Sequence, residues 1–251
     1  MIGFLIQKGV PIHIITQELN LNYDVVRIFV KNKLSEREYG ELRWSQRLLP
    51  IKSKRLTSKL SYILGVLYGD GYFGKSQINL GTSDKEFRDY FAEILFKWSG
   101  KKPACTKRLM KGKPYFTCLL SFKDAKKYIL SLIGNRSSTP EIILHSNNKK
   151  IISNFIKGFS DSEGSIVIAK RTKMLKISNQ NLLLLKQIRN LMVILGFSIQ
   201  RIKIRLNNKA PNGNVYEIII SAKEELQKFH NLIGFTIQRK NKKLEQFLKN
   251  M

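Results

Sequence analysis

The sequence has 251 residues, of which 43% are hydrophobic, so it can bury a sizeable core and is not that of a disordered chain. It holds 45 Lys and Arg against 18 Asp and Glu, a formal net charge of +27, which predicts a protein that binds nucleic acid, with a membrane-surface role as the main alternative. No apolar run reaches the roughly 18 residues of a membrane-spanning helix, and the first residues lack the pattern of a secretory signal, so we expect no membrane partner.

Residues 1–56 are predicted to form a helix-turn-helix-like helical segment followed by a partly helical linker. Asn22 can cap the second helix, and Tyr23, Asp24 and Arg27 would then begin a recognition helix. The alternative is a helical hairpin that packs on the rest of the protein and contacts no DNA. Residues 56–251 carry +22 of the net charge, so the main part of the chain is expected to attract most of the phosphate.

The rest of the chain reads as an internal repeat, with a first half at residues 57–148 and a second half at residues 149–251. Apolar periodicity in each half predicts a helix, two strands, a helix, two strands and a helix. The fold class is therefore α+β, with two pseudo-symmetric αββαββα halves.

Each half opens with an apolar helical run in which small residues stand four apart. These small residues are Gly65 and Gly69 in the first half, and Gly158 and Ser162 in the second. Glycine inside a helix costs up to about 1 kcal/mol relative to alanine, and close approach of two backbones is the usual compensation. We therefore predict that the two helices cross tightly about a pseudo-twofold axis.

A carboxylate follows each of these runs and precedes a glycine: Asp70 in the first half and Glu163 in the second. The crossing would place both acids at the same helix ends, where the helix dipole disfavours negative charge. Divalent metal ions would neutralise such a pair, and Mg²⁺ suits oxygen ligands, although Mn²⁺ or Ca²⁺ could occupy the same sites. Metals held there could assist hydrolysis of a phosphodiester. The alternative is two ordinary helix-ending turns.

Basic residues alternate with isoleucine from Arg201 to Arg205, which predicts that the basic side chains share one face of a strand while the isoleucines face the core. Such a face can lie in the DNA major groove, although a solvated strand face is the alternative. Candidate DNA contacts in and beside the predicted strands are Tyr72, Lys75, Gln77, Asn79, Lys107, Arg108, Lys111, Lys113, Lys170, Arg171, Lys173, Lys176, Arg201, Lys203 and Arg205.

The paired stretches around Asp70 and Glu163 resemble the two motifs of single-chain LAGLIDADG homing endonucleases, and the resemblance covers about residues 57–251. It implies a saddle of antiparallel sheets over double-stranded DNA, a monomer, and Mg²⁺-dependent cleavage of both strands of a long asymmetric site to leave cohesive ends. It also implies that Asp70 and Glu163 bind metal together with the backbone carbonyls of Gly69 and Ser162.

The same resemblance implies a polar and a basic residue near each scissile phosphate. In the second half Gln180 and Lys240 fit these two positions as catalytic residues, whereas the first half offers Ser83 or Asp84 and, in the basic region, Arg136. The two active centres are therefore expected to be chemically unequal.

Two other functions remain open from the sequence: an RNA maturase that assists intron splicing, and a DNA-binding regulator that does not cleave. Retention of both acids favours cleavage. The two cysteines lack partnering histidines, which argues against a zinc site and indicates a reducing, intracellular location such as the cytoplasm.

Overall fold

The computed structural model describes residues 1–8, 10, 12–45, 47–134, 136–169, 172–206 and 213–249. The N-terminal segment contains α1 (Ile2–Gln7), α2 (Ile12–Glu18), α3 (Tyr23–Lys33), α4 (Glu36–Ser45) and a 3-10 helix (Ile51–Lys54). The first half contains α5 (Ser58–Tyr68), β1 (Gly71–Phe73), β2 (Gln77–Thr82), α6 (Lys85–Ser99), β3 (Ala104–Met110), β4 (Lys113–Ser121) and α7 (Lys123–Ile133).

A short helix, α8 (Glu141–Leu144), connects the halves. The second half contains α9 (Lys149–Glu163), β5 (Gly164–Ala169), β6 (Thr172–Asn179), α10 (Leu182–Ile194), β7 (Lys203–Leu206), β8 (Asn214–Ile220), α11 (Lys223–Leu232) and α12 (Gln238–Lys249). The predicted αββαββα order is thereby confirmed in both halves.

Each half forms a four-stranded antiparallel sheet, with strand orders β1-β2-β4-β3 and β5-β6-β8-β7. Alternate residues of the inner strands, such as Ile78 and Leu80 on β2 or Leu175 and Ile177 on β6, are fully buried under the helices. A single hydrophobic core runs through both halves. Because strand residues alternate in direction, each sheet has one face on this core and one open face.

The N-terminal segment has its own small core, formed by Ile12, Ile15, Val26 and Val30 together with Ile6 and Leu42. The predicted cap is confirmed, since the Asn22 side chain accepts a hydrogen bond of 2.8 Å from the Asp24 N–H. Contact of this segment with DNA stays a prediction.

Candidate functional site

Helices α5 and α9 cross at two glycines that are 93 positions apart in the sequence. A Cβ atom on Gly65 would lie 2.1 Å from the Phe155 carbonyl oxygen, and one on Gly158 would lie 2.3 Å from the Tyr62 carbonyl oxygen. Phe155 is also 93 positions after Tyr62, so the two contacts are related by the same twofold relation. Only glycine fits at either place, because the atoms in the way belong to backbone.

The crossing brings the two acids together at the carboxyl ends of these helices. Asp70 follows Gly69, which ends α5, and Glu163 is the last residue of α9. A Cβ on Gly69 would be 2.2 Å from the Cβ of Ser162 and 3.4 Å from the Cγ of Glu163. The four predicted metal-site residues therefore lie side by side.

Glu163 is the more buried acid of the pair. Its carboxylate accepts a hydrogen bond of 3.1 Å from the Asn179 side-chain amide. Burial, and secondly the nearby charge of Asp70, raise the pKa of Glu163 to about 7, against the effects of Asn179 and Lys240. A proton or a cation is thus needed to make this arrangement favourable.

Asp70 retains access to solvent at one side of a cleft of about 320 Å³. Surrounding protein atoms raise its pKa by desolvation, while the charge of Lys240 lowers it. The cleft is built from both halves: it is lined by Asp70, Thr82, Ser83, Asp84 and Phe87 of the first, and by Asp161, Ser162, Gly164, Ser165, Ile166, Arg239, Lys240 and Lys243 of the second.

Lys240 lies in this cleft and is only 8% exposed. Its ammonium group donates to the carbonyl oxygen of Asp161 at 2.6 Å. Burial lowers the pKa of Lys240, while Asp161, Asp84 and Asp70 act in the opposite direction. The structure therefore places the predicted basic residue of the second half beside the acid of the first half.

The residues that precede Asp70 and Glu163 by two positions anchor equivalent segments by different means. Asp161 accepts from the backbone N–H and the hydroxyl of Thr236 at 2.8 and 2.7 Å, and from the Tyr62 hydroxyl at 2.9 Å. In the first half Tyr68 donates to the carbonyl oxygen of Ser138 at 2.6 Å. The first half therefore has a tyrosine that donates a hydrogen bond where the second half has a carboxylate that accepts hydrogen bonds.

The other predicted polar and basic residues have unequal surroundings. Arg136 donates to the carbonyl oxygen of Gly71 at 2.8 Å, next to Asp70. Asp84 pairs with Arg239 of the other half at 3.0 Å. Gln180 is exposed.

It is the preceding residue, Asn179, that contacts the acid Glu163, and the sequence interpretation missed it. The available signal was the repeat itself, because Asn179 corresponds to Thr82, the last residue of β2, which lines the cleft.

Seven of the candidate DNA contacts lie on the open faces of the two sheets, as the strand registers show. These are Tyr72, Gln77, Arg108, Lys113, Lys176, Lys203 and Arg205. Lys75 and Lys111 are exposed in the hairpin turns β1–β2 and β3–β4, and Arg201 is exposed just before β7.

Three candidates are corrected by the structure. Asn79 is on the open face but is only 5% exposed, so its amide is not available to a base. Lys107 lies opposite the buried Phe116 and therefore on the helix face of its sheet. Lys173 is also on the helix face, with its ammonium 5.6 Å from the ring of Phe247. Lys170 and Arg171 lie outside the described residues.

Ile204 lies on the helix face of its sheet, opposite to the basic residues as predicted, but it is 65% exposed and does not enter the core. β7 is the edge strand of its sheet, and the covering helix α10 packs on β6 and β8 instead. The regular strand begins at Lys203, two residues later than predicted.

The donor set suits a divalent cation. Asp70 and Glu163 supply carboxylate oxygens, and the ionised pair is disfavoured without a positive charge. In the part of the chain that the structure describes, no three or more His, Cys, Asp or Glu side chains are arranged so that they alone could hold a metal ion. Any ion held here would need backbone, water or phosphate oxygens in addition to the two acids.

No helix among the described residues is long and apolar enough to cross a membrane.

Comparison with family models matches residues 150–234 to the LAGLIDADG-like domain. An uncharacterised protein of Methanocaldococcus jannaschii is 29% identical over 203 residues, which cover 70% of this chain and 68% of that protein. A DNA polymerase of Thermococcus kodakarensis is 24% identical over 165 residues, 66% of this chain. The match spans only 9% of that polymerase, so its activity is not carried over.

Similar solved structures include I-DmoI in complex with DNA and calcium, with a TM-score of 0.51 and 20% identity over 76% of this chain and all of that chain. Full-length WhiA of Thermotoga matches with a TM-score of 0.55 and 16% identity over 82% of this chain and 63% of that chain. The homing endonuclease I-WcaI bound to its DNA recognition sequence matches with a TM-score of 0.50 and 15% identity, over 75% of this chain and 87% of that chain. At these low sequence identities, the similarity shows only that this chain shares their fold.

Proposed function

We propose that this chain, a two-motif protein with the LAGLIDADG homing endonuclease fold, is a site-specific endonuclease that cleaves both strands of a long asymmetric DNA target. The observation that carries the proposal is the pairing of Asp70 with Glu163 at the helix crossing, in a chain whose two sheets present basic side chains on their open faces. Cohesive ends and a preference for Mg²⁺ belong to the same proposal.

The functional residues form two sets, one that binds the DNA duplex and one that acts at the scissile phosphates. The basic side chains on the open faces bind phosphate and base edges and fix the register of the duplex. Asp70 and Glu163 would hold divalent cations, which when bound would lower the pKa of a water and stabilise the leaving oxygen. Lys240, beside Asp70, neutralises negative charge that develops at the phosphate of one strand, and Arg136 is placed to do so for the other.

The chain is proposed to act as a monomer, because both acids and both sheets come from one chain. It is further proposed to act inside the cell. Binding of a duplex by the basic faces should weaken steeply with salt, but a regulator or a maturase would share that behaviour. Salt dependence therefore cannot separate the three functions.

A cleavage assay separates them. The target is first selected from a library of randomised duplexes, and a plasmid that carries it is then incubated with protein and Mg²⁺ or Mn²⁺. We expect a double-strand break, and Asp70→Asn or Glu163→Gln should slow cutting of at least one strand by about 10³-fold while DNA binding persists. Glu224→Gln removes an exposed acid of α11 and should cut normally.

Selective binding without cutting in either metal would contradict the endonuclease and favour the regulator. Preferential binding of a structured intron RNA, with acceleration of its splicing, would favour the maturase instead.

A further inference from the structure

Two arginines occupy the same position in the two sheets. Arg108 of β3 lies opposite Tyr115 of β4, and Arg205 of β7 lies opposite Val215 of β8. Aligning the two ladders residue by residue places β3 on β7 and β4 on β8, with Arg108 on Arg205. Directly opposed residues of an antiparallel pair share a face, and both arginines lie on the open face. They are therefore related by the pseudo-twofold axis that relates Asp70 to Glu163.

Arg205 is held by a carboxylate. Its Nε donates to Oε1 of Glu217 at 3.0 Å, and Nζ of Lys176 lies 3.2 Å from Oε2 of the same residue. Glu217 is 5% exposed although it is on the open face, because the two cations cover it. A buried carboxylate is tolerated only when it is paired in this way. The bond through Nε leaves the Nη1–Nη2 edge of the 55% exposed Arg205 side chain for another partner.

Arg108 is held by an aromatic ring. Its guanidinium carbon lies 5.2 Å from the centre of the Tyr115 ring. That ring extends over Gly81, where a Cβ would come within 2.2 Å of the Tyr115 hydroxyl oxygen. The glycine thus lets Tyr115 lie along the sheet as a platform for the arginine.

The position that corresponds to Glu217 in the first sheet is Thr117, whose hydroxyl bonds that of Thr106 at 2.6 Å. The first sheet therefore has a neutral pair where the second has a charged cluster. The two sheets present equivalent arginines through chemically different supports.

We propose that Arg108 and Arg205 each read a guanine, at two target positions related by the pseudo-twofold axis, and that Tyr115 and Glu217 are the positioning residues that hold them. The inference rests on the proposed function for its ligand, double-stranded DNA. Guanine is the expected base because its O6 and N7 atoms accept two hydrogen bonds from one guanidinium in the major groove. The two guanines lie at equal distances from the centre of the target, on opposite strands.

Replacement of Glu217 gives a result that a purely structural role would not. Glu217→Gln removes one negative charge from the DNA-binding face, so affinity for random DNA should hold or rise. The guanidinium loses its ionic partner, so preference for guanine at the Arg205 position should fall. Loss of fold would lower both quantities together.

The experiment selects binders from randomised duplexes in Ca²⁺ with the full chain and the variants Arg108→Ala, Arg205→Ala, Glu217→Gln and Tyr115→Ala. We expect each arginine variant to lose roughly ten- to hundred-fold guanine preference at one of two symmetric positions. Glu217→Gln should weaken the Arg205 position alone and Tyr115→Ala the Arg108 position alone. Tyr115→Phe, which keeps the ring, and Glu224→Gln, which makes the same charge change away from the sheets, should retain both preferences. Thermal unfolding of each variant accompanies the selection.

If the wild-type protein enriches no sequence, both this inference and the proposed function are overturned. If it enriches a target whose preferences survive Arg205→Ala or Arg108→Ala, or if the two variants affect positions that are not symmetric, only this inference is overturned. Equal loss of random and specific binding in a folded Glu217→Gln variant would also overturn the positioning role.

Discussion

The acids of the two halves occupy equivalent positions and have different surroundings. Asp70 opens to solvent in a cleft beside Lys240, whereas Glu163 is half-buried and accepts a hydrogen bond from Asn179. The backbone around them is nearly symmetric, because the contacts of Gly65 and Gly158 repeat at a separation of 93 residues. Packing therefore fixes where both acids lie, while nearby polar side chains set the chemistry of each.

The symmetric helix crossing can be tested by adding a methyl group at either of its glycines. Gly65→Ala and Gly158→Ala each put a Cβ within 2.1 or 2.3 Å of a backbone carbonyl oxygen, which no side-chain rotation can relieve. The helices must separate, so we expect each variant to lose about 3 kcal/mol or more of unfolding free energy, and by similar amounts. Urea denaturation of the two variants measures this.

Gly40→Ala is the matched control, because Gly40 lies within α4 and a Cβ there meets nothing within 4 Å. It should stabilise the helix by up to about 1 kcal/mol. Full tolerance of alanine at one crossing glycine but not at the other would show that the crossing is not symmetric.

A second prediction tests the different surroundings of the two acids. In the metal-free protein, burial and the charge of Asp70 raise the pKa of Glu163 from 4.5 to about 7. Between pH 4.5 and about pH 7, Glu163 is therefore protonated in the folded state and ionised in the unfolded state. The contribution of Glu163 to stability is therefore complete below about pH 4.5 and declines as the pH rises through 7, by no more than about 3 kcal/mol in total.

Urea denaturation in EDTA across this pH range checks the sign of the effect. The difference in unfolding free energy between wild type and Glu163→Gln should decline as the pH rises. Asp70→Asn removes the like charge beside Glu163, so the decline should then occur at lower pH. Added Mg²⁺ should restore stability at pH 8 by binding the ionised pair. A wild-type protein that becomes more stable relative to Glu163→Gln as the pH rises in EDTA would disprove the assignment.

The tight helix crossing and the order of elements were predictable because they depend on local patterns, glycine spacing and apolar periodicity. Lys107 and Lys173 were misassigned because the face of a strand residue depends on register, which composition does not reveal. Ile204 lies on the predicted face but is exposed, because an edge strand need not be covered by a helix. Asn179 escaped notice because its role depends on a contact with Glu163, 16 residues away in the sequence.

In the first motif, Tyr68 stands at the position that Asp161 occupies in the second. The Tyr68 hydroxyl is buried, which raises its pKa to about 12, and it donates to the carbonyl oxygens of Ser138 and Ile133 at 2.6 and 3.3 Å. Tyr68→Phe leaves these carbonyls without that donor, so we expect a loss of about 1 kcal/mol in unfolding free energy.

Tyr62→Phe provides the comparison across the twofold axis, because Tyr62 donates to the buried carboxylate of Asp161. Hydrogen bonds to charged groups contribute about 1.5–3 kcal/mol, so this variant should lose more than Tyr68→Phe. Tyr128→Phe removes a surface hydrogen bond to Lys54, where water can replace the hydroxyl, and should be nearly neutral. If Tyr68→Phe were as neutral as Tyr128→Phe, the hydroxyl would not anchor the segment before α8, and the first half would need another support for Arg136.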